Sequence, residues 1–455
     1  MLVGSGCAAS SETVSPDAGG GDEAMQQETI SFSEDVQPVL QDDFAPLLDE
    51  EEGVQLDSWQ DVVAGSEDGE LLIPYDAANS LLIELATKRE MPEGVEGPTQ
   101  DEIDLVRRWI NQGAKSDAGE VPFADSDSPR LYVCNQGEAL VSVIDMQANQ
   151  VIRTIDLQER GFSANAKPHH AIAETDGSHW YLTMIGENTV LKFNRENEIV
   201  GRTQFEVPGL LALDPTSDRL FVGRSMSAVN PPKRIGIIDR SDMSVQQVGV
   251  FHPRPHAIAV NPEGTYAFSA SLAQNRLAAV DANTQEVNLA TVSGPTQTFV
   301  DYAIAPDGNA MATGGQFSGK LMFFDISDPP AVTVTDSVSV NSQPWHPTYT
   351  PDGEAIYFGN KTANTVTVVD AGERAVETVI EGEGIAQPHG SAVRPDGRYV
   401  YISNNNRKGA YTPRYDLGDN RNAGTVTVID TRTNEIVKVI EVEDYPSGIG
   451  GPAVR

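Results

Sequence analysis

A short alternating segment that ends in an acidic or amide residue recurs seven times along the 455-residue chain: VSVID, VLKFN, IGIID, LAAVD, LMFFD, VTVVD and VTVID. They end at Asp145, Asn194, Asp239, Asp281, Asp325, Asp370 and Asp430. Five of these segments follow a Thr-Asp-Gly, Pro-Glu-Gly or Pro-Asp-Gly triplet, at 175–177, 262–264, 306–308, 351–353 and 395–397. In such a triplet the residue before Asp-Gly sets up a turn and Gly takes the positive φ, so each triplet reads as a hairpin between apolar runs. Each period is therefore a four-stranded antiparallel unit of 42 to 60 residues. A unit of that size cannot bury both of its faces alone, and radial packing of seven such units gives a seven-bladed β-propeller. The first unit lacks an opening strand, whereas the C-terminal YPSGIGGPAVR matches one. Residues 446–455 are thus expected to supply the inner strand of blade one and close the ring.

Charge divides the chain unevenly. Residues 1–125 hold 29 Asp and Glu against 5 Lys and Arg, and the remainder 38 against 26. Such acidity excludes nucleic acid and anionic membrane as partners, since both require a basic footprint. No run of 18 apolar residues is present, so no transmembrane helix is expected. Only 9 of the 31 basic residues are Lys, the composition of a solvated, salt-tolerant surface.

The segment YVCN at 132–135, followed by VSVID and VIRTIDL, and the recurring PH…PDG…YVYISN…TVTVID resemble the YVTN-repeat seven-bladed β-propeller family over residues 129–455. The resemblance implies a periplasmic or cell-surface bacterial protein, usually a binding module without catalysis.

Aligning the units on their turns places His169, Gly209, His256, Val300, Trp345 and His389 at one repeat position, the start of the inner strand. In that family the position is a strand entry near the axis. The alternative is a site: His169, His256 and His389, with His170 and His346 beside them, would converge at one channel end, and convergent imidazoles suit copper or zinc. Nitrous oxide reductases, which are similar propellers, build a copper cluster in this region, although here Gly209, Val300 and Trp345 interrupt the ring. The loops between second and third strands return to the same end. Two are long: GRSMSAVNPPKRIG in blade three and NNNRKGAYTPRYDLGDNRNAGT in blade seven, which concentrate Arg224, Lys233, Arg234, Arg407, Lys408, Arg414 and Arg421 in an otherwise acidic protein. The expected ligand is an anionic small molecule or protein partner, with Trp345 and Tyr411 available for stacking and the acidic first domain itself a candidate to dock there. His179 and His252 read as surface residues, and Cys134 as a small core residue.

Residues 28–118 have helical character. A helix starts at SEDVQPVLQ, Asp76 reads as an N-cap, and TQDEIDLVRRWINQGAK carries a Thr99/Glu102 capping box with Gly113 as its stop. The order of ISFSEDVQPVL, SLLIEL, MPEG and EIDLVRRWINQGA resembles mono-haem c-type cytochrome domains, with Met91 at the distal-ligand position. The Cys-x-x-Cys-His that this family requires is replaced by QDDFAPLLDEEE; no Cys lies between 8 and 133 and no His before 169, so covalent haem is not expected. Residues 119–128 read as a linker. Residues 1–27 resemble the end of a bacterial lipoprotein signal, with Cys7 as the lipidated residue and a Ser/Gly/Asp tether after it.

Overall fold

The computed structural model describes residues 30–48, 53–66, 69–89, 96–124, 127–340, 343–415 and 423–452. Cys7, Met91 and Arg421 lie outside these residues. Seven four-stranded antiparallel sheets form a closed β-propeller. Blade one is completed by Pro446–Gly450, which pairs with Arg130–Asn135, and blades two to seven follow in chain order. All seven segments read from the sequence are third strands, and each ends on the residue expected of it. The terminal Asp residues start the next turn rather than acting as acids. Asp281 accepts from the backbone N–H of Asn283 and Thr284, and Asp430 from that of Arg432. In the hairpin triplets Gly177, Gly264, Gly308, Gly353 and Gly397 have φ of 65–75°, as the sequence predicts.

Each sheet is apolar on both faces, and the core is correspondingly partitioned. Seven separate apolar clusters sit one at each blade–blade boundary, and an eighth fills the helical domain. Between blades one and two the seam is aromatic: Tyr132 stacks on Trp180 at 4.2 Å and Trp180 on Phe193 at 4.0 Å.

The helical domain comprises a continuous helical stretch from Phe32 to Leu47 and helices Trp59–Ala64, Leu81–Lys88 and Gln100–Asn111. The Thr99/Glu102 capping box is formed, and Gly113 follows the last helix at φ 103°. Asp76 is not an N-cap. The helix begins after Ser80, whose hydroxyl donates to the Asp76 carbonyl, while the Asp76 carboxylate accepts from Asn79 in a turn one step upstream. The domain's interior is filled almost wholly by its own side chains, with Phe32 and Trp109 in contact at 5.5 Å. With the haem-attachment cysteines lacking, protein co-expressed with a cytochrome c maturation system is expected to give no pyridine haemochrome absorbance; a Soret band surviving denaturation would contradict this.

The domain docks on the outer side of blades one and seven. Ile73 enters the apolar seam between those blades, Gln150 Nε2 donates to the Val63 carbonyl at 2.9 Å, and Arg153 lies 5.1 Å over the Tyr75 ring. The long blade-seven loop reaches across to it: Tyr415 is part of the helical domain's core and receives Arg89 on its ring at 5.4 Å.

Candidate functional site

One local device, repeated seven times, builds the channel mouth. The residue before each inner strand has a positive φ: Lys167, Val207, Arg254, Thr298, Gln343, Gln387 and Tyr445, all between 43° and 58°. Its carbonyl accepts the N–H of the first residue after the second strand, at 2.8 to 3.2 Å in every blade. Six of the seven are followed by Pro, which has no N–H to leave unpaired at a strand start. A bulge then follows in each inner strand, for instance between Pro168 and His170 and between Pro388 and Ser391. The kink and bulge together re-aim the residue after the proline. That is why a histidine after proline recurs: the position is where a side chain is delivered to the axis. Blade one places Ser447 there, completing the ring of His169, Gly209, His256, Val300, Trp345 and His389.

The rings meet. His169 lies 6.1 Å from His256 and 6.4 Å from His389, His389 lies 5.3 Å from Trp345, and His346 stacks on His389 at 5.0 Å. His169, His256, His346, His389 and Trp345 are buried, and His170 is partly exposed. Three of the imidazoles are oriented from behind. His346 Nδ1 is 2.8 Å from Asp301 Oδ2, His256 Nδ1 is 2.7 Å from the Arg224 carbonyl, and His169 Nδ1 is 3.1 Å from Gln136 Oε1. A carboxylate and a carbonyl can only accept, so Nδ1 of His346 and of His256 carries a proton directed at its partner. His170 Nδ1 instead accepts from the Leu211 N–H at 3.3 Å. Asp301 and Gln136 were not legible as partners, because each comes from a different blade from the ring it orients.

For His169, His170, His256 and His389 burial is the largest influence and disfavours the charged form. It holds His256 and His170 down at about 4 and His169 and His389 well below the usual histidine value. Several polar atoms here have no partner among the described residues: His169 Nε2, His346 Nε2, His389 Nδ1 and Trp345 Nε1. Lys361, the first residue after blade six's second strand, sets its ammonium 4.1 Å from the Trp345 ring centroid. Burial, followed by the nearby Arg407 charge, lowers Lys361 to about 8. No carboxylate among the described residues pairs with it. Lys361 escaped sequence reasoning because it lies in a short loop with no repeat signal.

The loop residues divide. Arg407 stays at the mouth, 4.8 Å over the ring of Tyr445, and Lys408 is exposed. Arg224 is buried and committed to the Arg234 carbonyl, the Glu206 carbonyl and Gln247, so it frames the loop rather than facing a ligand. Tyr411 and Arg414 do not join the histidines. Tyr411 donates to Glu441 at 2.7 Å, the Arg414 N–H donates to the same carboxylate at 2.8 Å, and both line a groove of about 760 Å³ between the outer strands of blades six and seven. His252 is fully buried rather than on the surface: Phe251 beside it takes a positive φ and turns outward, leaving the imidazole inside. His179 is partly exposed, 3.0 Å from the Ser178 hydroxyl. Cys134 is buried in blade one, and burial pushes its thiol up.

An Nδ1 proton held by an acceptor, as at His256 and His346, is the arrangement of metal-ligating histidines. The spacing of the rings is not: among the described residues no three of His, Cys, Asp or Glu are placed to share one ion.

No family model matches the chain, and no curated protein does. Solved structures are similar in fold. A functionally unknown protein from Desulfotomaculum acetoxidans DSM 771 superposes with a TM-score of 0.57 at 13% identity over 72% of this chain and 100% of its own. The β-propeller domain of Myceliophteria thermophila Cps50 (Swd1) gives 0.50 at 12%, over 61% and 93%. The dihydro-heme d1 dehydrogenase NirN in complex with DHE gives 0.51 at 12%, over 85% and 94%. At these identities the likeness is one of fold, and the chain is a seven-bladed β-propeller preceded by a small helical domain.

Proposed function

We propose that the protein is an exported binding propeller of the YVTN-repeat kind, anchored through Cys7, whose channel mouth takes a small anionic ligand. One observation carries this reading: among the described residues, a cluster of buried polar atoms without partners sits beside Lys361, a cation with no counter-charge there. Buried polar groups are nearly always satisfied, so such a cluster calls for an occupant. Lys361 and the Trp345 N–H donate to an anion directly. The imidazoles do so after taking up a proton, which the nearby Asp301 carboxylate favours at His256 and His170. NirN offers a parallel at the level of fold only, as a protein solved with a small ligand.

Benzoate, acetate and phosphate serve as probes, read by intrinsic tryptophan fluorescence. Lys361→Met is expected to weaken the tightest of them at least about tenfold, the loss of one charged hydrogen bond. Arg407→Glu and Lys408→Glu are expected to weaken it further as salt falls. Arg414→Glu is expected to leave it unchanged, since that residue faces the outer groove. Binding that responds to Arg414 and ignores Lys361 would move the site to the groove.

The competing reading is a copper- or zinc-dependent oxidoreductase, favoured by the committed Nδ1 protons and opposed by the ring spacing. Stoichiometric copper or zinc in untagged protein, lost in a His169/His256/His389 triple alanine variant, would establish it instead.

A further inference from the structure

Lys361 has features that simple anion binding does not require. Its side chain is partly buried, its amine rests on an indole face, and it has no carboxylate partner among the described residues. Around it stand groups that move protons: His389 lies 5.3 Å from the same indole, His346 stacks on His389 at 5.0 Å, and Asp301 holds His346 Nδ1 at 2.8 Å. An amine that is desolvated and adjacent to acid–base groups is the arrangement by which lysine becomes a nucleophile toward carbonyl carbon. Lysines that merely neutralise a ligand are better left solvated, where they stay charged.

Resting on the anion-binding reading, we infer that Lys361 forms an imine with a carbonyl-bearing anion, a 2-oxo carboxylate, in the channel mouth. The ligand's carboxylate lies among Arg407, the Trp345 N–H and a protonated imidazole, and its carbonyl carbon meets the Lys361 amine. The neutral amine adds to the carbonyl carbon, forming the C–N bond, and the oxygen takes a proton to give a carbinolamine. The hydroxyl then takes a second proton, the C–O bond breaks to release water as the nitrogen lone pair forms the C=N bond, and nitrogen gives up its remaining proton. No oxidant or reductant is consumed. The histidines supply and recover the protons, and burial lowers the amine to about 8, so that a usable fraction is neutral near neutral pH.

The test uses the full chain with pyruvate as the probe, sodium cyanoborohydride to trap the imine, and peptide mass spectrometry to locate it. Lactate, which keeps the carboxylate but lacks the carbonyl, serves as the competitor. The expected result is reductive labelling of Lys361 at least tenfold faster than at any of the other eight lysines, slowed by lactate. Lys361→Arg should lose the label at any lactate concentration, and it retains the positive charge should Lys361→Met fail to fold. Uniform labelling of all lysines while lactate still binds would overturn the imine and leave anion binding standing. Absence of both preferential labelling and lactate binding would overturn the two together.

Discussion

Taking the protein from pH 6.5 to pH 4 is expected to strip away several kcal/mol of stability, bringing acid unfolding into that window. His252 and His256 are buried and held at about 4 by burial, against the usual value of 6.5. The unfolded chain therefore binds protons at these sites that the folded chain refuses. Where the unfolded state binds more protons, stability rises with pH, so it falls as pH drops from 6.5 and levels off below 4. Each such group contributes on the order of 3 kcal/mol across the window. His169 and His389, held lower still, extend the loss. A domain's net stability is about 5–15 kcal/mol, so the sum matters. His252 isolates the effect, because it lies outside the channel and neither ring nitrogen has a well-formed hydrogen bond. His252→Leu is expected to flatten the dependence of the denaturation midpoint on pH by about one histidine's share while leaving ligand binding intact. A slope unchanged by that substitution would show that His252 is protonated at its ordinary value.

Removing residues 446–452 is expected to abolish cooperative folding of the propeller. These residues form the inner strand of a blade whose other three strands come from the opposite end of the domain, so the deletion opens the ring and leaves Arg130–Asn135 an unpaired edge. The fit is close: the Ser447 hydroxyl is within 3.2 Å of both the Cys134 and His169 carbonyls. A Cβ added at Gly450 would stand 1.9 Å from the Ala171 carbonyl oxygen. Gly450→Ala is accordingly expected to cost about 1–3 kcal/mol through overpacking, and Gly450→Val more. Far-UV circular dichroism melts and gel filtration decide this; a truncated chain that melts in one transition at the parent temperature would show that closure contributes nothing.

The propeller was legible because its signals are local and repeated. Turn triplets with glycine, alternating third strands and an orphaned C-terminal strand each constrain the backbone, and sevenfold recurrence separates them from chance. The repeat also located the residues that reach the axis, since Pro-His in blades two, four and seven marks a backbone device common to all blades. Side-chain partnerships left no such mark. Asp301 behind His346, Gln136 behind His169 and Lys361 on Trp345 depend on register across loops, and neither periodicity nor spacing encodes them. Counting basic residues in a long loop misled for the same reason. Arg224, Arg407 and Arg414 are near in sequence type and loop class, yet one is buried as framework, one sits at the mouth and one faces the outer groove. Asp76 misled because its side chain satisfies Asn79, leaving the helix start to Ser80.

The occupancy of the channel mouth is tested most directly by the protons that accompany it. Burial keeps these imidazoles neutral in the free protein, so an anion that calls for their charge must bring protons with it. Calorimetric titration with pyruvate at pH 6, in two buffers of different ionisation enthalpy, measures that uptake. Net proton uptake on binding is expected, with affinity that strengthens as pH falls from 7 toward 5 and a pH dependence that is lost in the His169/His256/His389 triple alanine variant. Binding with no proton uptake, equally tight at both pH values and unaffected by the triple substitution, would contradict this.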